Sequence, residues 1–99
     1  PSTIIKIGNY AFKDCKTLSV MIIPSSVQKI GYSAFSGCRS LKQIEIEHNI
    51  KLIDSYAFFG CSMLKQTTIP FVASIESKAF PDNTKIIRKW IKLISNDVI

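Results

Sequence analysis

The sequence has few of the residues from which catalytic and metal centres are built. His48 is the single histidine, and the three cysteines, Cys15, Cys38 and Cys61, form no CxxC pair. A zinc site therefore has too few ligands at a suitable spacing. No Ser or Cys stands in a recognisable arrangement with a His and a carboxylate, as nucleophilic catalysis requires. These shortages indicate that the chain is not an enzyme and holds no cofactor or metal.

Long apolar runs and phosphate-binding glycine loops are also missing. No apolar stretch approaches the roughly 18 residues that span a bilayer, and the chain has only four glycines. The net charge is +6, from 13 Lys and Arg against 7 Asp and Glu, but no nucleic-acid-binding motif accompanies that charge. We therefore expect a hydrated basic surface, with neither nucleic acid nor a membrane as the partner of this segment.

A repeated Ala-Phe motif organises the chain. The pairs Ala11-Phe12, Ala34-Phe35 and Ala57-Phe58 recur at steps of 23 residues, and Ala79-Phe80 follows after 22. One unit of this length cannot bury its own apolar face, but stacked units bury each other's. The sequence thus predicts a single domain, 1–99, with an internal stack of Phe rings. Its units are 1–23, 24–46, 47–69 and 70–91.

Other apolar columns keep the same interval. One column contains Leu18, Leu41, Leu64 and Ile86, and another contains Ile4, Val27, Ile50 and Val72. Counting along the fourth unit also places Asn83 in the cysteine column and Lys89 in a core column. We expect the cysteines to be packed and reduced, because side chains in one column point the same way and do not converge as disulfide geometry requires.

Each unit contains one strand-like segment and one short turn-like segment. "LSVMII", "LKQIEI" and "LKQTTI" have the β-branched content of short strands, which would pair in parallel about 4.8 Å apart in successive coils. "GYSAFSGC" is too short for a stable isolated helix, but it suits one helical or 3₁₀ turn.

The pattern Ile30-Gly31, Ala34-Phe35, Cys38, Leu41, Ile44 and Ile46 resembles the BspA-like class of leucine-rich repeats. The resemblance covers residues 1 to about 86. It implies a leucine-rich-repeat solenoid, with short parallel strands on one face and short helical or 3₁₀ turns on the other. It further implies a non-catalytic protein-recognition module in a cell-surface, adhesin-like protein. The alternative is an intracellular scaffold protein that docks on an assembly such as a cytoskeletal filament, which the unpaired cysteines favour.

The outward positions of the strands are the first candidate for a binding face. The candidates are Val20, Ile22, Lys42, Gln43, Glu45, Lys65, Gln66 and Thr68. A second hypothesis for Val20 and Ile22 is that upstream coils cover them. Phe59 and Phe71 are candidate exposed aromatics, since aromatic side chains are enriched at binding hot spots; local packing is the other interpretation of these two.

The two ends of the chain differ in pattern. Residues 1–7 align with residues 24–30, in the connection between coils, so we expect further repeats before Pro1 and interpret the chain as a fragment of a longer array. The alternative is that residues 1–7 themselves form a minimal edge. The cap-like segment 84–99 includes "KIIRKWIKLI", whose apolar residues fall on one helical face. Three interpretations remain open for it: a terminal helix in which Trp90 covers the last coil, a basic amphipathic segment for a membrane surface, and a degenerate fourth strand.

Overall fold

Successive coils pair through short parallel strands on two sides of the molecule. The computed structural model describes residues 3–90. On one side β1 (Lys6–Ile7), β3 (Lys29–Ile30), β5 (Leu52–Ile53) and β7 (Ser74–Ile75) form one sheet in that order. On the other side β2 (Val20–Ile22) pairs with β4 (Gln43–Glu45), and β6 (Gln66–Pro70) pairs with β8 (Lys85–Lys89). All these pairings are parallel, which confirms the predicted solenoid.

The Phe residues form a continuous stack through the interior. The ring centroids of Phe12 and Phe35 are 5.1 Å apart, as are those of Phe35 and Phe58, and the Phe58–Phe80 distance is 4.9 Å. The rings are nearly parallel, with interplanar angles of 6°, 1° and 8°. Phe35 and Phe58 are fully buried, whereas Phe12 in the first coil is half-buried. The stack predicted from the 23-residue interval is confirmed.

The segments around the Ala-Phe pairs are hydrogen-bonded turns and not helices. Within residues 3–90 the chain forms no helix. Two columns of left-handed residues interrupt helix formation in this segment, because a helix needs consecutive right-handed residues. The first column is Tyr10, Ser33, Tyr56 and Lys78, with φ of 62°, 53°, 61° and 62°, and the second is Asp14, Gly37 and Gly60, with φ of 60°, 77° and 77°.

Backbone hydrogen bonds join the turns of neighbouring coils. The amide of Phe12 donates to the carbonyl of Ala34, and Phe35 donates to Ala57 in the same way, each at 2.7 Å. These bonds hold each Phe ring above the next, and they give buried turn amides the partners that buried backbone groups require. The turn side is therefore hydrogen-bonded between coils, as the strands of the three sheets are.

The fourth coil is shorter than the others, and this changes four alignments made by counting. Val72 is exposed and Ala73 is buried in the position of Val27 and Ile50, because the missing residue follows Ala73. The amide of Ala73 bonds to the carbonyl of Pro70 as that of Val27 bonds to Pro24. The placement of Val72 in a core column was therefore wrong.

A second deletion lies after the last Phe. Lys85 pairs with Gln66, so Phe80 stands three residues closer to this strand position than Phe58 does. As a result Thr84, and not Ile86, closes the turn that Leu64 closes in the third coil. The assignments of Asn83 to the cysteine column and Lys89 to a core column were also wrong: both are exposed, and Ile86 pairs with Thr67.

Residues 85–89 form a strand and not the start of a terminal helix. Strand β8 pairs with β6 along its whole length, because the edge of β6 offers hydrogen-bond partners that an isolated helix would forgo. The interpretation as a degenerate fourth strand is confirmed for these five residues, and residues 91–94 of the "KIIRKWIKLI" segment lie outside the described residues. Arg88 stabilises the turn that follows β6, because its Nη1 donates to the carbonyls of Pro70 and Ala73, both at 2.8 Å.

Candidate functional site

Most of the titratable side chains of residues 3–90 are dispersed over the surface. His48 is exposed, and no group of three or more His, Cys, Asp or Glu side chains is arranged to hold a metal in this range. The same residues include no helix with the length and hydropathy that a bilayer crossing demands. The candidate site lies on an outward face of the coils.

The cysteines contribute to packing and to hydrogen bonding between coils. The thiol of Cys38 donates to the carbonyl of Phe12, and that of Cys61 donates to Phe35, both at 3.1 Å. Burial raises the pKa of the Cys61 thiol to about 12, and it raises the pKa of Cys38 as well. A protonated thiol is a poor nucleophile, so these two side chains are structural. Their role as weak donors to the preceding coil adds to the predicted role as small apolar groups.

The strand face is the surface formed by the outward side chains of β2, β4, β6 and β8. All eight candidate residues of this face are exposed: Val20, Ile22, Lys42, Gln43, Glu45, Lys65, Gln66 and Thr68. The pairing of β2 with β4 sets Val20 beside Gln43 and Ile22 beside Glu45. The apolar end of the face therefore continues directly into its polar part.

The ladder of the strand face is interrupted at its centre. Strands β4 and β6 belong to different sheets, although β3 and β5 of the same two coils pair normally. A groove of about 750 Å³ lies over this interruption. Five of the candidate residues line it, namely Lys42, Gln43, Glu45, Gln66 and Thr68, whereas Val20, Ile22 and Lys65 do not.

The interruption coincides with a polar residue in an apolar column. Thr67 stands where the neighbouring coils have Ile44 and Ile86. It is 4% exposed, and its Oγ1 has no hydrogen-bond partner among the described residues. By contrast, the hydroxyl of Thr84, another buried threonine, has a hydrogen-bond partner, because its Oγ1 donates to the carbonyl of Leu64 at 2.6 Å. Thr67, which lines the groove, is thus expected to lower the stability of β6.

Charged and amide side chains give the groove a mixed electrostatic character. Gln43 Nε2 lies 3.5 Å from Glu45 Oε2, to which it donates. Glu47 and His48 line one part of the groove, and Lys89 and Trp90 line another. The sequence did not predict these four as site residues: counting placed Lys89 in a core column, and one of three interpretations of the terminal segment placed Trp90 over the last coil.

Aromatic rings outside the Phe stack form two groups. Tyr10, Tyr32, Tyr56 and Phe59 make a chain of edge-to-face contacts at 5.6, 5.6 and 5.4 Å. Phe71 stacks on Trp90 at 4.4 Å. Phe59 and Phe71 are 50% and 44% exposed, so each has a local ring partner and still presents a face to solvent. Trp90 is 77% exposed and does not cover the last coil.

Comparisons with known proteins agree with this architecture. The family model described as "BspA type Leucine rich repeat region (6 copies)" matches residues 1–96. A search of curated protein sequences gives no match. Among solved structures, a leucine rich repeat protein of T. pallidum is similar at 29% identity and a TM-score of 0.71, over 86% of this chain and 45% of that one. A leucine rich cell surface protein of Faecalibacterium prausnitzii A2-165 has the same fold, at 24% identity and a TM-score of 0.56, over 93% of this chain and 31% of that one. The chain therefore spans less than half of either protein.

Proposed function

The chain belongs to the BspA-type leucine-rich repeat family, and on this premise we propose that it is a non-catalytic module that binds a protein partner along its strand face. Solenoids present long surfaces with one side chain per coil at each exposed position, which suits recognition of an extended partner. The observation that supports this face above the others is the groove of about 750 Å³ over the β4–β6 interruption.

The chemistry of the groove favours a protein over a small apolar ligand. Its lining combines the amides of Gln43 and Gln66 with the carboxylates of Glu45 and Glu47 and with an exposed Trp90. Protein interfaces carry about one hydrogen bond per 100–200 Å² and are enriched in aromatic residues. Amide side chains one coil apart can bond to the backbone of a partner, and Trp90 offers an anchor of the kind found at hot spots.

An affinity capture with matched variants tests the binding face. The protein, with all of its repeats, is immobilised and used to capture proteins from a cell-surface extract, and a captured protein is then purified and titrated. We expect the triple variant Gln43→Ala, Glu45→Ala, Gln66→Ala to weaken binding of that protein at least about tenfold, which corresponds to about 1.4 kcal/mol.

The matched control carries changes on the opposite sheet. Gln28→Ala with Lys51→Ala alters exposed side chains beside β3 and β5, and it should leave the affinity unchanged. Equal affinity of the triple variant and the unaltered protein would refute the proposal for the strand face.

We also propose that further coils of the same kind precede this segment in the whole protein. The first coil supports this, because Ile4 is 52% exposed where its counterpart Val27 is 1% exposed. Val20 and Ile22, also in the first coil, are 45% and 61% exposed. Cys15 provides the test: its thiol should react with an alkylating reagent more slowly in the whole protein than in residues 1–99. Equal rates would contradict the proposal.

The family resemblance supports a place at the cell surface for the whole protein. The prediction is tested by treating intact cells with a protease and following the protein with an antibody. Loss of the protein without cell lysis is the expected result. Full protection, with a cytoplasmic marker also protected and a known surface protein digested, would favour the intracellular scaffold instead.

A further inference from the structure

Five exposed cations lie along one margin of the strand face, where the turn of each coil leads into its strand. We call this the basic corner, and its members are Lys16, Arg39, Lys42, Lys65 and Lys85. Lys16 and Arg39 are equivalent residues that directly follow the cysteines of the first two coils. Lys42 and Lys65 are equivalent residues that directly follow Leu41 and Leu64. The corner therefore runs along the axis of the stack and crosses all four coils.

The fourth coil extends this row because of its deletion. Thr84 closes its turn by bonding to the carbonyl of Pro81, as Leu64 bonds to Cys61, and Lys85 then pairs with Gln66, the residue after Lys65. The backbone amide of Lys85 also donates to the carbonyl of Lys65 at 2.8 Å. The lysines of the third and fourth coils are thus adjacent, about one strand spacing of 4.8 Å apart along the axis.

The charges of the basic corner are not neutralised within the described chain. The only ion pair formed among residues 3–90 joins Lys29 and Asp54, at 3.8 Å and away from this margin. Lys65 Nζ reaches the carbonyl of Ser62 at 3.5 Å, which leaves its charge in place. The corner has one acid in its own columns, Asp82, at the position of Arg39 in the fourth coil. Like charges at these spacings repel one another, and an anionic partner would relieve that repulsion.

The surroundings of the corner favour a sparsely charged anion over a dense polyanion. Glu45 and Glu47 lie on the adjoining strand face, and Asp82 lies at the end of the row. A nucleic acid duplex carries one negative charge per about 1.7 Å, so it would meet these carboxylates as well as the lysines. An extended peptide with acidic residues at intervals can place carboxylates on the lysines and uncharged groups beside the acids.

The side chains next to the corner are suited to a peptide. Gln43 and Gln66 directly follow Lys42 and Lys65 and are exposed. Their amides can donate to and accept from peptide groups, which a sulfated or phosphorylated polymer lacks. Four of the five cations are lysines, which act as point charges, whereas phosphate groups are held most specifically by the bidentate fork of arginine.

We propose that the basic corner binds an acidic, extended segment of the protein partner, which lies along the stack axis beside the strand-face groove. This inference rests on the proposed function, because it names the chemical class of the segment that the strand face recognises. The corner contributes attraction and orientation, and the groove contributes the hydrogen bonds and the aromatic contact.

A peptide titration tests the inference without the natural partner. The probe is a fluorescent peptide of alternating Glu and Ser, about ten residues or roughly 33 Å long when extended, and its binding to residues 1–99 is followed by anisotropy at low salt. We expect Lys42→Gln with Lys65→Gln to weaken binding at least about fivefold. The control, Lys6→Gln with Lys51→Gln, removes the same net charge from the opposite sheet and should change binding less than about twofold. Binding should weaken as salt rises, because screening shortens from about 10 Å at 0.1 M to 3 Å at 1 M.

Three outcomes would overturn the inference. The first is no binding of the acidic peptide at low salt, and the second is equal weakening in the corner variant and the control. The third is binding of single-stranded DNA or of a heparin oligosaccharide of equal charge more than tenfold tighter than the peptide, which would reassign the corner to a polyanion. A partner captured in the preceding experiment separates the two proposals. If the partner no longer binds the Gln43, Glu45, Gln66 variant but still binds the Lys42, Lys65 variant, the proposal for the strand face is supported and the proposal for the basic corner is refuted.

Discussion

Replacing Thr67 with valine should stabilise the protein, because it removes an unpaired hydroxyl group from a buried position in β6. The Thr67 hydroxyl has no hydrogen-bond partner among the described residues, and the side chain is 4% exposed. Its position lies between Ile44 and Ile86 in neighbouring coils, where a methyl group meets apolar surroundings. Valine keeps the shape of threonine and exchanges the hydroxyl for that methyl group.

The magnitude follows from the cost of an unsatisfied polar group. Burying a hydroxyl without a hydrogen bond costs about 1–3 kcal/mol in protein mutational data. Thr67→Val should therefore raise the free energy of unfolding by about 1–3 kcal/mol, which would be a large fraction of the stability of a domain of this size. The assay is urea unfolding followed by circular dichroism, analysed for the midpoint and the slope.

Two other threonines provide controls, for which the expected change in the free energy of unfolding is different. Thr68→Val changes an exposed residue on the same strand and should shift the free energy of unfolding by less than about 0.5 kcal/mol. Thr84→Val removes the bond of 2.6 Å to the carbonyl of Leu64, leaves that buried carbonyl unpaired, and should destabilise by about 1–3 kcal/mol. If Thr67→Val destabilises the protein as much as Thr84→Val does, the hydroxyl of Thr67 has a partner and the reasoning is refuted.

Two further predictions concern the turns and the buried thiols. Gly60→Ala should destabilise the protein by about 1–2 kcal/mol, because φ at this position is +77°. Asp14→Gly, at the equivalent position of the first coil, should be neutral or stabilising. Thermal unfolding of the two variants tests this, and a Gly60→Ala variant more stable than the unaltered protein would contradict it. Burial raises the pKa of the Cys61 thiol from 9.0 in the unfolded protein to about 12 in the folded protein. Between these pH values the folded protein keeps a thiol proton that the unfolded protein loses. The free energy of unfolding should therefore fall as pH rises from about 9 toward 12. Urea midpoints across this range should fall less steeply in Cys61→Ala, and an identical pH dependence in both proteins would refute that assignment.

The first three coils could be predicted from the sequence because their spacing is uniform. Equal steps of 23 residues bring Phe12, Phe35 and Phe58 to equivalent positions, and stacking then follows from the need to bury them. The outward positions of the strands followed from the alternation of side chains in a strand. The left-handed turn residues had a partial signal in Gly37 and Gly60, but Ser33 and Tyr56 at the other left-handed column gave none.

The fourth coil could not be predicted in the same way, because the step of 22 residues to Ala79 shows that a residue is missing but not where, and no later Ala-Phe pair marks the second deletion. Asn83 fell in the cysteine column only by counting, whereas hydrogen bonding places Pro81 and Thr84 in the turn. Segment 85–89 has an apolar pattern compatible with either a helix or a strand, and the free edge of β6 decides in favour of the strand. The groove depends on the interruption between β4 and β6, and Thr67 in an apolar column was the one residue that indicated it.

The central claim is that the interior is built from contacts between adjacent coils. A double-mutant cycle on the Phe stack measures this directly, with Phe→Leu changes at Phe35 and Phe58, whose rings lie 5.1 Å apart. We predict a coupling energy of about 0.5–1.5 kcal/mol for this pair and one near zero for Phe12 with Phe58, since Phe35 lies between them. Equal couplings for the two pairs, or none for Phe35 with Phe58, would contradict the stacked architecture.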